Sequence, residues 1–286
     1  MKNRLLTGIL IMTIYVTFIL LGIYVHHFFF DFMILTAIVL ASFEMCKALG
    51  AKFQKPFLIF VAIFCFAGYA AFALINFFFD SGGLTAYFGV FAIAVIILIV
   101  FSMLAKNDAG RIASTLFVLI YPVTLLMFLM SLNYFGEGYR VTAIMLAFLV
   151  SIFTDVMAFC VGITLKGPKL MPSVSPKKTI SGAVGGIIGG IGAGLIVMTL
   201  GIFGVLGAVS LSNNTVVNIM HFIILGLVGA VFTQAGDLIA SYIKRICEIK
   251  DYGSLLPGHG GVLDRADGLM LNAVFIFIYM SIIMLI

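Results

Sequence analysis

Nine times along its 286 residues the chain runs through a long apolar stretch with almost no charge, and this limits the fold more than any other feature. A helix needs about 20 apolar residues to cross a bilayer, because in hydrocarbon the backbone must satisfy its own hydrogen bonds. The runs are placed at 5–25, 32–49, 56–79, 85–105, 112–135, 141–165, 181–210, 215–240 and 268–286. They are continuous rather than alternating, which points to helices and away from a barrel. Composition agrees: 63% of the residues are hydrophobic and 9% charged, whereas a soluble domain carries about 45–50% apolar residues. The expected fold class is all-α, a polytopic integral membrane protein of about nine transmembrane helices. Leu5 to Val25, with no small-residue cleavage site before the next run, reads as a retained helix rather than a signal peptide.

An odd number of spans puts the termini on opposite sides. With the N-terminus cytoplasmic, fifteen of the sixteen Lys and Arg residues fall on the cytoplasmic side and only Arg140 outside, the asymmetry expected from the positive-inside rule. The net charge of +5 is therefore spent on topology, between apolar runs, and nucleic acid is not expected as a partner. Cys46, Cys65, Cys160 and Cys247 form no CxxC pair, and the expectation is small buried thiols rather than zinc or disulfides. His26 and His27, beside Phe28, Phe29 and Phe30, read as interfacial anchors in preference to a metal site.

Glu44 lies within the second run, where a carboxylate is costly enough to count as a functional candidate. A pairing with Lys47, three residues on, explains it equally well. Gly182, Gly186, Gly190 and Gly194 recur at every fourth position, with Gly185 and Gly189 beside them. Small residues at that spacing let helices approach closely in lipid, and this is preferred to a phosphate cradle.

Charge is concentrated from Gly236 to Asp267, with five carboxylates and four cations. Asp237, Ser241, Lys244 and Glu248 step by four, three and four residues, one face of a helix leaving the membrane. Pro257-Gly258-His259-Gly260-Gly261 must be an irregular loop whose glycines let backbone come close to a ligand. Asp264 and Asp267 then present two carboxylates on one face just before the last span, hard oxygen donors that suit Mg²⁺. Internal salt bridges with Lys244 and Arg265 are the plainer alternative. Upstream, Ser175, Lys177, Lys178 and Thr179 around Pro176 suit a phosphate-rich ligand, while lysines that set topology and touch anionic head groups are an equal reading.

The run Ser241-Tyr-Ile-Lys244-Arg245, then Lys250-Asp251, Pro257-Gly-His259-Gly-Gly261 and Asp264-Arg265-Ala-Asp267, closely resembles the motif of phosphatidate cytidylyltransferases, also called CDP-diacylglycerol synthases. Asp155 with Ala158, and Ser175-Pro-Lys-Lys-Thr179 followed by Gly182, resemble further blocks of that family, so the likeness covers roughly 150–270. The family commonly has an acidic residue where Ser181 stands and an Arg where Ile163 stands. The resemblance implies transfer of the cytidylyl group of CTP to phosphatidate, with Mg²⁺ required and a second, monovalent cation left open. It implies a catalytic set of Asp237, Lys244, His259, Asp264 and Asp267, with Asp237, Asp264 and Asp267 at the metal. Ser175, Lys177, Lys178, Thr179, Ser241, Arg245, Lys250, Asp251, Arg265 and Asp155 would contact substrate.

On this reading residues 1–140 are N-terminal transmembrane helices, and 141–286 a catalytic region with cytoplasmic loops 166–181 and 241–267. The short N-terminus resembles bacterial members, which implies a multi-pass protein of the inner (plasma) membrane with its active site facing the cytoplasm. The partners are CTP, phosphatidate and membrane lipid; a homodimer is compatible but not required. A CTP-dependent lipid kinase would use similar groups and release CDP. A secondary transporter would be expected to show internal repeats, and none is evident.

Overall fold

The computed structural model describes residues 2–79, 82–105, 108–255 and 260–285, with 2–12 described as backbone only. Its helices are α1 (Lys2–Tyr24), α2 (Phe28–Lys52), α3 (Leu58–Phe79), α4 (Gly83–Leu104), α5 (Ala109–Val118), α6 (Leu125–Ser131), α7 (Tyr139–Leu165), α8 (Ile180–Ile202), α9 (Thr215–Ile246) and α10 (Leu263–Leu285). Among the described residues, eight helical stretches are long and apolar enough to cross a membrane, α5 and α6 counting together as Ala109–Tyr134. Of the first expected span, the part with described side chains, Thr13–Tyr24, is apolar helix. The chain is a multi-pass membrane protein. Large apolar side chains such as Ile59, Ile96, Phe159 and Ile188 stand exposed on these helices, as a lipid-facing surface requires.

The chain divides into two compact units, Met1–Tyr134 with Ile246–Arg265, and Phe135–Arg245 with Ala266–Ile286. In the first, Asp108 caps α5 by accepting the Gly110 N–H at 3.2 Å. Pro122 then interrupts the span, and Tyr121 leaves helical geometry at φ −121 and ψ 108. The Thr124 hydroxyl donates to the Leu119 carbonyl at 2.8 Å and pairs with the Tyr87 hydroxyl at 2.8 Å. Backbone polarity at the break is thus met inside the protein.

Glu44 is not paired with Lys47 but caps a distant helix. Its carboxylate accepts the backbone N–H groups of Val262 at 3.0 Å and Leu263 at 2.9 Å, and Lys47 is exposed. A carboxylate from α2 thereby caps α10, satisfying two donors that the first turn of a helix leaves open and meeting its positive dipole end. This is why α10 begins at Leu263, ahead of the expected 268, and why Asp264 and Asp267 lie inside it.

In the second unit the glycine row of α8 packs against α7 and α9. A Cβ on Gly189 would meet the Phe153 carbonyl at 2.6 Å, and one on Gly190 would meet the Gly226 carbonyl at 2.6 Å and the Ala230 Cβ at 2.5 Å. Packing, the preferred reading, is what the glycines do here. A buried polar set ties α7, α9 and α10 together: Asn272 Nδ2 donates to the Ala147 carbonyl at 3.0 Å and to Ser151 Oγ at 3.1 Å, and Ser151 pairs with Thr233 at 3.2 Å. Replacing Gly190 with Leu is expected to destabilise the protein by about 3 kcal/mol, since the obstacle is backbone that cannot rotate away. A lowered midpoint of thermal aggregation in detergent would report it, with Gly192, which has nothing within 4 Å, tolerating the same change.

Other boundaries also differ from expectation. α8 stops at Ile202 rather than 210, where Gly204 and Gly207 turn the chain at φ +62 and +79. α9 runs on to Ile246. The loop expected at 166–181 contains an antiparallel hairpin, β1 (Lys169–Met171) with β2 (Ser175–Thr179), pairing Lys169 with Thr179 and Met171 with Ser175. Three thiols are buried, but Cys160 is exposed on α7, where its position in an apolar run meant lipid rather than core. Just past α9, burial pushes the Cys247 thiol above its ordinary range, away from a reactive thiolate.

Candidate active site

β2 leads directly into α8, and the junction is built by Thr179. Its Oγ1 accepts the Gly182 N–H at 3.1 Å, an N-cap on the glycine-rich helix. Lys177 and Lys178, just ahead of this cap, both line a cavity of about 440 Å³ together with Asp155 of α7 and Gln234 and Asp237 of α9. Lys178 Nζ stands 2.5 Å from Asp237 Oδ2, and the Ser241 hydroxyl, one turn on, donates to Asp237 Oδ1 at 3.4 Å. The half-buried Asp267 carboxylate lies within electrostatic reach of Asp237, Asp155 and Lys244.

Three carboxylates and three lysines from α7, β2, α9 and α10 are therefore grouped in the second unit. Arg245 is turned aside there, its Nε donating to the Val174 carbonyl at 3.2 Å. Ser175 opens β2 half-buried. Gln234, which the sequence reading did not single out, donates to the Ala183 carbonyl at 3.1 Å. Its place one turn before Asp237 on α9 was the only available signal.

The remaining expected residues belong to the first unit. Asp264 Oδ2 accepts the N–H groups of Tyr252 at 2.8 Å and Gly261 at 2.9 Å. Gly260, at φ +82, has space for no Cβ, which would meet Asp264 Oδ2 at 2.9 Å, and Gly253 and Gly261 abut the Glu44 carboxylate. The described glycines of this loop thus approach Asp264 and Glu44. Lys250, Asp251 and Arg265 are exposed. Pro257, Gly258 and His259 lie outside the described residues.

The donor chemistry of the second unit suits Mg²⁺, which takes one or two carboxylates and completes its shell with water and substrate phosphates. Asp237 and Asp267 offer those two hard donors, and Asp237 already draws an ammonium to 2.5 Å. Among the described residues, no three His, Cys, Asp or Glu side chains converge into an all-protein cage.

Comparison with known proteins bears on what such a cavity serves. A profile of the cytidylyltransferase family matches residues 2–283. The chain belongs to the cytidylyltransferase family. It is similar to the phosphatidate cytidylyltransferase of Brucella abortus, 38% identical over 147 residues, 50% of this chain and 48% of that one. It is also similar to those of Rickettsia felis, 37% over 166 residues, covering 57% and 66%, and Rickettsia bellii, 35% over 189, covering 64% and 77%. The match to the Brucella relatives spans about half their length. At the two positions where this chain departs from the resemblance, Ile163 lines the cavity and the Ser181 hydroxyl donates to the Lys166 carbonyl.

Proposed function

We propose that this protein transfers the cytidylyl group of CTP to phosphatidate, giving CDP-diacylglycerol and pyrophosphate. The observation that carries the reading is the Asp237–Lys178 pair at 2.5 Å in a cavity shared with Lys177 and Asp155. The names of the relatives support it.

In the reaction a phosphate oxygen of the lipid attacks the α-phosphorus of CTP, a new P–O bond forms, and the bond to the β-phosphate breaks. Two anions must meet, so the protein supplies positive charge and alignment. Lys177 and Lys178 neutralise the approaching phosphates from the hairpin. Lys244, in reach of Asp267, answers charge as pyrophosphate departs. Asp237 and Asp267 would hold Mg²⁺, with Ser241 orienting Asp237; bound there, the ion would supply Lewis-acid stabilisation of phosphate charge. Asp155 contacts substrate from α7. Thr179 acts chiefly by fixing the start of α8, which keeps the two lysines in register.

Asp264 serves the first unit, holding Tyr252 and Gly261 together, and Lys250 and Arg265 are proposed as phosphate contacts there. The orientation, with the lysine-rich ends cytoplasmic in the inner membrane, is supported by the fifteen-to-one cation asymmetry. It matches substrates of which one is cytosolic and the other interfacial.

The purified protein in detergent, given CTP, phosphatidate and Mg²⁺, is expected to release pyrophosphate in a lipid-dependent way that chelation abolishes. Release of CDP instead would identify phosphoryl transfer and overturn the reading.

A further inference from the structure

At the start of α2, roughly 20 Å along that helix from Glu44, the first unit contains a second cavity, of about 590 Å³. Asp31 lines it and is 1% exposed. Asp31 Oδ1 accepts from Asn133 Nδ2 at 3.0 Å and Oδ2 from the Tyr134 hydroxyl at 2.5 Å. These bonds use two of about four lone-pair positions of the carboxylate. The His26 imidazole lines the same cavity and acts electrostatically on Asp31, without an ion-pair contact to it. A buried carboxylate in that position favours a cation.

The same cavity is lined by Asn76, 6% exposed, whose Oδ1 accepts the Gly83 N–H at 3.0 Å but whose buried Nδ2 has no partner. A buried donor without an acceptor is costly. A fitting occupant therefore brings an N–H-bearing cation for Asp31 and an oxygen acceptor for Asn76. Tyr69 and Tyr134 add aromatic walls that favour a cation. Phe28 and Phe77, which both line the cavity, are 54% and 80% exposed, aromatic side chains of the kind that favour the head-group region.

We propose that this cavity holds the head group of a phospholipid with a primary amine, its ammonium on Asp31 and a phosphate-ester oxygen on Asn76. A strut between α2 and the turn at Asn133 accounts for the two bonds Asp31 already makes, but not for the unpartnered Asn76 donor or the open volume. The lipid, rather than a soluble amine, is indicated by the apolar aromatic rim.

Native mass spectrometry of the full chain in detergent tests this without reference to CTP turnover. The probes are phosphatidylethanolamine, its N-methylated series up to phosphatidylcholine with the same acyl chains, and soluble O-phosphoethanolamine. Phosphatidylethanolamine is expected to bind about tenfold more tightly than phosphatidylcholine, because the trimethylated head group cannot donate to Asp31. Asp31→Asn and Asn76→Ala should each lower its retention by about the same factor. Equal binding of the two lipids by the unaltered protein, which needs no variant to fold, would overturn the proposal. So would a preference unchanged in Asp31→Asn, and equal affinity for soluble O-phosphoethanolamine would overturn the lipid assignment.

Discussion

Asp237→Asn is expected to lower CTP-dependent product formation by about a thousandfold while leaving the protein folded, the scale on which loss of one preorganised electrostatic group is felt. The carboxylate faces the Lys178 ammonium at 2.5 Å and receives the Ser241 hydroxyl. Asparagine keeps the shape and the hydroxyl contact but removes the charge that would hold Mg²⁺ and set the position of Lys178. The change should fall mainly on kcat, since the lysines proposed to attract phosphate remain. Steady-state assays in detergent micelles, paired with a melting curve, separate the two effects. Near-normal turnover would remove Asp237 from the chemistry.

Glu44→Ala should act on the fold. Without the carboxylate, the N–H groups of Val262 and Leu263 are buried with no acceptor, at about 1–3 kcal/mol each. The expected loss is about 2–6 kcal/mol, with a melting temperature lower by about 10 °C. Glu44→Gln, which keeps an acceptor oxygen, should fall between, and Lys47→Ala should match the parent because Lys47 is exposed. A catalytic carboxylate would instead lose activity with stability intact.

These two residues mark what could be read from the sequence. Asp237 was singled out by local spacing, and Asp237, Ser241 and Lys244 do lie on α9, but Glu248 falls past its end at φ +56 and pairs with Lys52 instead; the span positions followed from apolar run length. The glycine row was legible for the same reason. Glu44 was not, because its partners Val262 and Leu263 are far along the chain and a pairing with nearby Lys47 is the obvious local alternative. The start of α10 was missed with it. Thr179 looked like a phosphate contact because a hydroxyl beside lysines has that chemistry; its capping bond to Gly182 shows only once strand and helix meet. His26 and His27 were read as interfacial anchors; that both line one cavity with Asp31 and Tyr134 shows only in three dimensions.

The most direct test of the account is the fate of CTP labelled on the α-phosphorus, incubated with the purified protein, phosphatidate and Mg²⁺. The account predicts label in a chloroform-soluble lipid, lost on chelation and lost in Asp237→Asn. Label remaining in water-soluble CDP beside a newly phosphorylated lipid, or CTP left intact under every condition, would contradict it.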